Sequence, residues 1–389
     1  MKRLLYASPF PPKRSGISDY SSVLVKALST KFDITLFTDD YEISDQSLAS
    51  FPVLKYGIDD VDYSLFDFYI YNIGNNPEYH QYIYEAALKH PGMVILHDMI
   101  LYYLFIGYYQ ARNSFYSSLY KKIGQADFIK IKDAVKTNGT ALLEQKQMAA
   151  VLKLNQELIS SGNKLMVHSE YTKNQILSLG LIKNEAIRHI NLIEQIDENM
   201  RLIDREKLYK KYNIPCDALV IASFGYIAET KKNYEVCQAV KKLANELDRK
   251  ICYLMVGAGD YVDIELEKNF IIKTGFTDLD EFDSFITYAD IVVNLRFPSM
   301  GETSAAMLRI LQMGKACITN NGGWFTELPD FCVYKIEVDN IVDRLEKALK
   351  TLILNSEARI QLENNAKKYI QSEYNKEQIV NQIYDFLNA

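Results

Sequence analysis

Short, strongly apolar runs alternate with stretches of helical spacing from one end of the chain to the other. In the first half Leu4-Leu5-Tyr6-Ala7, Phe32 to Thr38, Phe66 to Tyr71, Met93 to Leu96, Lys164 to His168 and Arg188 to Glu194 read as strands. In the second half Ala218 to Phe224, Ile251 to Val256, Asp290 to Leu295 and Ala316 to Thr319 do the same. Between them lie helical stretches. Ile17 to Leu28 is one, with Ile17, Tyr20, Val23, Leu24 and Ala27 on one side. Alternation of this kind leads to two α/β domains, each built on a parallel sheet. A length of 389 residues fits two domains of ordinary size.

Composition narrows the classes. Hydrophobic residues at 48% and charged residues at 24% give a soluble globular balance. A net charge of −6 argues against a general nucleic-acid binder, while leaving room for a local basic phosphate site. The five cysteines are scattered in or beside apolar runs without a Cys-x-x-Cys pair, as expected of reduced, structural thiols in a cytoplasmic protein. The N-terminus reads as a first strand and not as a signal peptide. No apolar run approaches the roughly 20 residues that span a bilayer.

Chemistry-bearing residues gather where strands give way to helices. Gly301-Glu302-Thr303-Ser304 follows the apolar run at Asp290 to Leu295 and precedes a helical pattern at Met307, Leu308, Leu311 and Met313. Thr303 and Ser304 are cap types, and amides at such a turn can hold an anion. An ordinary capped turn has the same pattern. Gly225 to Lys232 follows another strand, with Lys231 and Lys232 just before a helix from about Asn233. Fixed positive charge at a helix head suits a diphosphate. Gly257-Ala258-Gly259 follows Ile251 to Val256, and Gly16 stands between the first strand and the first helix. His97-Asp98 lies just past a strand end, where a carboxylate can set an imidazole tautomer. His168 reads as structural.

Other features have plainer readings. Tyr102, Tyr103, Phe105, Tyr108, Tyr109, Phe115, Tyr116 and Tyr120 crowd a helical stretch over Met99 to Lys122. Core packing explains each singly; together they are also compatible with an interfacial surface for a lipid-carried acceptor. More helix is expected over Asp127 to Ser160, Arg201 to Tyr212, and near 339–354, 356–370 and 375–388. Gly74 to His80 reads as a polar turn and Asn320 to Trp324 as a flexible one. Asp278-Leu279-Asp280 looks like a metal-binding triplet but starts an amphipathic helix, so helix capping is the preferred account and no metal is assigned.

Pro298-Ser299, Glu302 and Gly314-Lys315-Ala316 resemble the nucleotide-sugar motif of glycosyltransferase family 4, in the Gly-Glu-Thr-Ser branch of bacterial surface-polysaccharide enzymes. Ser15 to Tyr20, His97-Asp98 and Gly322 to Asp330 resemble the same branch, and the likeness runs along nearly the whole chain. There are departures. Arg309 stands where the motif's second, ribose-binding glutamate would be, Glu302 is one place out of register with the first, and Tyr226 replaces an arginine.

The resemblance implies a GT-B fold, with two Rossmann-like domains facing a central cleft. Residues 1–195 would form the acceptor-side domain and 196–370 the nucleotide-sugar domain, with 371–389 a helix returning to the first. It implies a retaining, metal-independent transferase that moves a sugar from a UDP- or GDP-sugar to a glycan or lipid-linked glycan. His97 and Glu302 would face the sugar. Gly16, Gly225, Tyr226, Lys231, Lys232, Gly257, Gly301, Thr303, Ser304 and Arg309 would hold the donor, with Lys232 or Arg309 standing in for the missing arginine. Asp19, Tyr20 and Asp98 would lie on the acceptor side. No cofactor is expected, since the nucleotide sugar is a substrate. The expected location is cytoplasmic, with peripheral contact at the inner face of the membrane left open. A sugar-nucleotide epimerase of the same fold and an inactive, partner-binding subunit are the competing readings.

Overall fold

The computed structural model describes residues 1–139, 148, 152–193 and 200–389. The chain forms two compact units. The first comprises residues 1–193, 300–303 and 376–389, and the second 194–299 and 304–375.

Among the described residues, the first unit carries β1 (Lys2–Ala7), β2 (Phe32–Thr38), β3 (Val53–Lys55), β4 (Phe68–Ile73), β5 (Met93–Leu96), β6 (Lys164–Val167) and β7 (Ile187–His189). They pair in the order β3-β2-β1-β4-β5-β6-β7, every pair parallel. Its helices are α1 (Gly16–Leu28), α2 (Pro77–Lys89), α3 (Tyr102–Ala111), α4 (Phe115–Asn138), α5 (Gln156–Ile159) and α6 (Glu170–Leu177). Side chains alternate across a strand, so each sheet face needs its own cover. Leu5 and Ala7 of β1 join Tyr71, Val94 and Leu165 in one core with Ile83 and Ala87 of α2. Tyr6, on the opposite face, meets α1 through Ser21 Oγ at 3.3 Å.

The second unit carries β8 (Leu219–Phe224), β9 (Ile251–Val256), β10 (Ile271–Lys273), β11 (Ile291–Val293), β12 (Cys317–Asn320) and β13 (Tyr334–Ile336). Their order is β10-β9-β8-β11-β12-β13, again parallel throughout. The helices are α7 (Arg205–Tyr212), α8 (Asn233–Glu246), α9 (Leu279–Tyr288), α10 (Ala305–Gln312), α11 (Ile341–Leu354) and α12 (Ser356–Glu373); α13 (Lys376–Asn388) is counted with the first unit. Leu219 and Ile221 pack with Val236 and Val240 of α8 and Leu345 and Leu349 of α11. Phe224, pointing the other way, meets Phe282 of α9 with ring centroids 5.1 Å apart.

Several local expectations are corrected. The turn expected over Gly74 to His80 stops at Asn76, whose side-chain oxygen accepts from Glu78 N and caps α2; Pro77 fits the first helical position, where no amide is needed. The helix expected over 99–122 breaks at Asn113, held at φ +52°, into α3 and α4. The helix expected over 127–160 continues α4 only to Asn138, and its segments 140–147 and 149–151 lie outside the described residues. The strand expected over 188–194 is limited to β7, and Glu194 is likewise outside them. Asn320 to Trp324 is not an open turn, since Gly323–Glu327 winds into a 3₁₀ turn with Trp324 and Phe325 buried. Among the described residues no helix is long and apolar enough to cross a membrane.

Two glycine turns show how tightly the second sheet's edge is built. A Cβ on Gly257 would lie 2.1 Å from the backbone oxygen of Gly225, a contact that backbone must move to relieve. Gly257→Ala is therefore expected to destabilise the protein by about 1–3 kcal/mol, the usual cost of overpacking. Urea unfolding of the purified variant checks this, and a wild-type midpoint would show that the turn yields freely.

Candidate functional site

Parallel strands end at a common edge, and ligands of open α/β sheets bind at the carboxyl edge where the strand order reverses. In the first unit the reversal lies between β1 and β4, and in the second between β8 and β11.

At the first unit's edge, α1 starts at Gly16 with Ser15 as its cap, the hydroxyl accepting from Ser18 N at 3.2 Å. A Cβ on Gly16 would meet nothing within 4 Å, so a ligand has room at this helix head. Asp19 is exposed in its first turn and Tyr20 is buried. His97 follows β5 and is half-buried; its Nε2 lies 3.1 Å from Asn72 Oδ1. Asp98 Oδ2 accepts from Asn75 N at 2.9 Å and so ties down the loop after β4. Three rings meet here. Tyr20 stands edge-on to His97, with centroids 4.9 Å apart, and to His168, at 5.2 Å; the two imidazoles are 5.2 Å apart. His80, buried in α2, sets its Nδ1 3.1 Å from the Asn72 backbone oxygen.

This cluster is uncharged at neutral pH. Burial pushes His80 down to about 4 and His168 down to about 4, against the partial offset of a backbone hydrogen bond to each. Burial also holds His97 well below the usual imidazole value, and His168 and His80 add to that. Tyr20 is raised well above the ordinary phenol range by burial and then by Tyr6.

At the second unit's edge, Gly225 and Gly257 end β8 and β9 back to back, with Gly225 N donating to Val256 O at 2.9 Å and Ile227 N to Ala258 O at 2.8 Å. Lys231 turns onto this edge, its Nζ donating to Phe224 O at 2.6 Å. Lys232, at φ +56°, leads into α8; its amine lies 3.5 Å from Glu235 and over the Phe297 ring. Tyr226 is 66% exposed, so the turn offers an open aromatic face. Ser304 caps α10, its hydroxyl accepting from Met307 N at 3.2 Å. Asp278 likewise caps α9 by accepting from Glu281 N at 2.8 Å, so the acidic triplet stands at a helix head. Met300–Thr303 is counted with the first unit, where Gly301 O accepts from Thr172 Oγ1 at 2.6 Å and Thr303 Oγ1 donates to His168 O at 3.1 Å. The Glu302 carboxylate is oriented by accepting from Met300 N at 2.7 Å.

One residue expected to hold the donor is engaged within the second unit. Arg309 is buried in α10, and its guanidinium grips both oxygens of Asp283 at 2.5 and 2.7 Å. Such a bidentate, charge-assisted pair is among the stronger side-chain contacts. Asp283, Asn72 and His80 were not expected to matter, and His168 only as structure. The signals were modest. Asn72 is a lone amide in the apolar run of β4, and Asp283 falls on the buried face of α9 beside Phe285 and Ile286.

No protein-family model matches the chain, and no curated protein matches it. Solved structures do. HepE of Anabaena, in complex with UDP and glucose, superposes with a TM-score of 0.67 at 13% identity, covering 100% of both chains. WaaG, a glycosyltransferase involved in lipopolysaccharide biosynthesis, gives 0.64 at 12% identity over 99% of each. Sucrose-phosphate synthase of Thermosynechococcus elongatus gives 0.60 at 14% identity, over 100% of this chain and 98% of the other. At such identities the likeness establishes the fold, two parallel-sheet α/β units of GT-B type.

The depressed histidines set a pH dependence. Unfolded, each has its ordinary value near 6.5; folded, His80 and His168 titrate at about 4. Between these values the unfolded chain binds more protons, so stability is full above about pH 6.5 and declines as pH falls toward 4. By pH 5 the loss is about 2 kcal/mol per histidine, and His97 adds in the same direction. Urea unfolding at pH 7, 6 and 5 measures this, and a flat profile would mean the cluster is hydrated in solution.

Proposed function

We propose that the chain is a glycosyltransferase of family 4 that takes a nucleotide-activated sugar, with a retaining and metal-independent mechanism. The observation that carries the reading is the turn after β8. Gly225 has no side chain at the sheet's switch point, and the Lys231 amine occupies that space, 2.6 Å from where a Cβ would stand and held on Phe224 O, at the approach to α8. A fixed cation in a glycine turn before a helix head suits a diphosphate. The fold is shared with HepE, solved in complex with UDP and glucose and with UDP-glucose, which favours a uridine donor.

In this reading Lys231 and the amides at the head of α10 neutralise the leaving diphosphate, in the place of a metal ion. Lys232 shares its charge with Glu235 and contributes less. Glu302 holds sugar hydroxyls, since a carboxylate is repelled from the phosphates themselves. His97 contacts the sugar as a neutral imidazole. The acceptor attacks on the leaving-group face, and the departing phosphate takes its proton. A glycan or lipid-linked acceptor is favoured by α4, where Tyr116, Tyr120 and Ile129 are exposed among Lys121, Lys132 and Lys136. Such a surface suits a cytoplasmic protein in peripheral contact with the membrane.

Thermal-shift measurements with UDP-, GDP- and dTDP-sugars test the donor. Stabilisation by the uridine set is expected. Lys231→Ala should weaken donor use by about ten- to a hundredfold, the scale of one lost charge-assisted contact, with the melting point little changed. Wild-type donor kinetics in that variant would remove Lys231 from the site. Formation of a new sugar nucleotide without acceptor would mark an epimerase instead, and donor binding without turnover an inactive partner subunit.

Added EDTA should leave turnover nearly unchanged. Loss of activity that Mg²⁺ or Mn²⁺ restores would overturn the metal-independent mechanism.

A further inference from the structure

The His97 imidazole is held by a residue with no obvious place in the transferase scheme. Asn72 is fully buried near the end of β4. Its Nδ2 donates to Ala7 O at 3.3 Å, and its Oδ1 lies 3.1 Å from His97 Nε2. The amide orientation follows from these two contacts. Flipped, its oxygen would face the Ala7 carbonyl, acceptor against acceptor. Oδ1 therefore faces His97, and an oxygen only accepts, so Nε2 carries the proton. The other ring nitrogen, Nδ1, has no hydrogen-bond partner among the described residues. The Asn72 backbone is fixed as well, since its carbonyl lies 3.1 Å from His80 Nδ1.

We propose that Asn72 is a positioning residue, whose side-chain oxygen locks His97 with its proton on Nε2, so that Nδ1 accepts a hydrogen bond from a hydroxyl of the sugar-bearing substrate. This rests on the transferase reading for the identity of the ligand, but the tautomer itself does not. The titratable groups around His97 are Tyr20 on α1, His80 on α2, His168 after β6 and its chain neighbour Asp98. Tyr20 and the two histidines carry no charge at neutral pH, and Asp98 directs Oδ2 to Asn75 N. Nothing in this ring of neighbours converts His97 into an imidazolium donor. A hydroxyl that donates is the complement of an unprotonated Nδ1.

Nitrogen-15 NMR of the full chain labelled at histidine reads the tautomer directly. With five histidines in the chain, the His97 signals are assigned by their loss in His97→Gln. The expected result is one neutral His97 form, protonated at Nε2, from pH 8 down through the ordinary imidazole value near 6.5. A His97 protonated at Nδ1 would overturn the proposal, whatever the enzyme does. Two variants then test the consequence. Asn72→Leu removes the lock, and should give mixed tautomers and a turnover about tenfold lower or more, with the donor KM nearly unchanged. Asn72→Asp places a carboxylate on Nε2, which favours the imidazolium. Turnover should then fall as the pH is lowered and recover as it is raised, a dependence the parent lacks. Variants that fold but keep both the parent tautomer and the parent pH profile would show that Asn72 does not set His97. If no donor is turned over, the NMR result still decides the tautomer and the transferase reading alone fails.

Discussion

Parallel pairing of β1 with β4, and of β8 with β11, is the constraint on which the rest of this structure depends. Parallel neighbours cannot be joined by tight hairpins, so each connection crosses a face of the sheet and covers it. Both faces of each sheet are thereby spent on packing. What remains open is the carboxyl edge, where the backbone leaves each strand and must turn. In the first unit that edge carries Gly16, Gly74, His97 and His168; in the second it carries Gly225, Gly257 and the loop leading to Ser304. Gly257 answers a packing demand, as its approach to the Gly225 carbonyl makes plain, whereas Gly16 leaves open space.

Charge is distributed economically at the second unit's edge. Arg309 is withdrawn into a buried pair with Asp283, a paired arrangement that a guanidinium tolerates and an isolated buried cation does not. Lys232 leans toward Glu235. Lys231 is aimed at the carbonyl of Phe224, at the end of β8, and Lys273 at that of Gly259. In the proposed reading a diphosphate meets a positive centre there whose position is already set, together with backbone dipoles that need no reorganisation.

The first unit's edge works by the opposite principle. Its histidines sit among buried rings, where a charge would lose its hydration, so they remain neutral. Neutral imidazoles are directional: one nitrogen donates and the other accepts. The geometry of Asn72, His80 and the Ile190 carbonyl, which lies 3.0 Å from His168 Nδ1, assigns those roles ring by ring.

By itself the sequence determined what short-range physics dictates. Apolar runs became the central strands, with Phe32–Thr38, Met93–Leu96 and Ile251–Val256 matching residue for residue, because burial and β-branching act locally. Ser304 as a cap, and Asp278 as a cap within a metal-like triplet, were legible for the same reason. So were the places of His97, Gly225 and Gly257 just past strand ends, and of Gly16 and Lys231 at the approach to helices. Only the tertiary structure decided how distant polar groups pair. Arg309 and Asp283 lie on separate helices, and nothing in either local pattern reveals that one claims the other's charge. Asn72, His80, His97 and His168 come from three strand ends and a helix, and adjacency in a parallel sheet skips the chain between them. Their shared neutrality, and the direction in which each imidazole accepts, arise from burial that exists only once those strands are side by side.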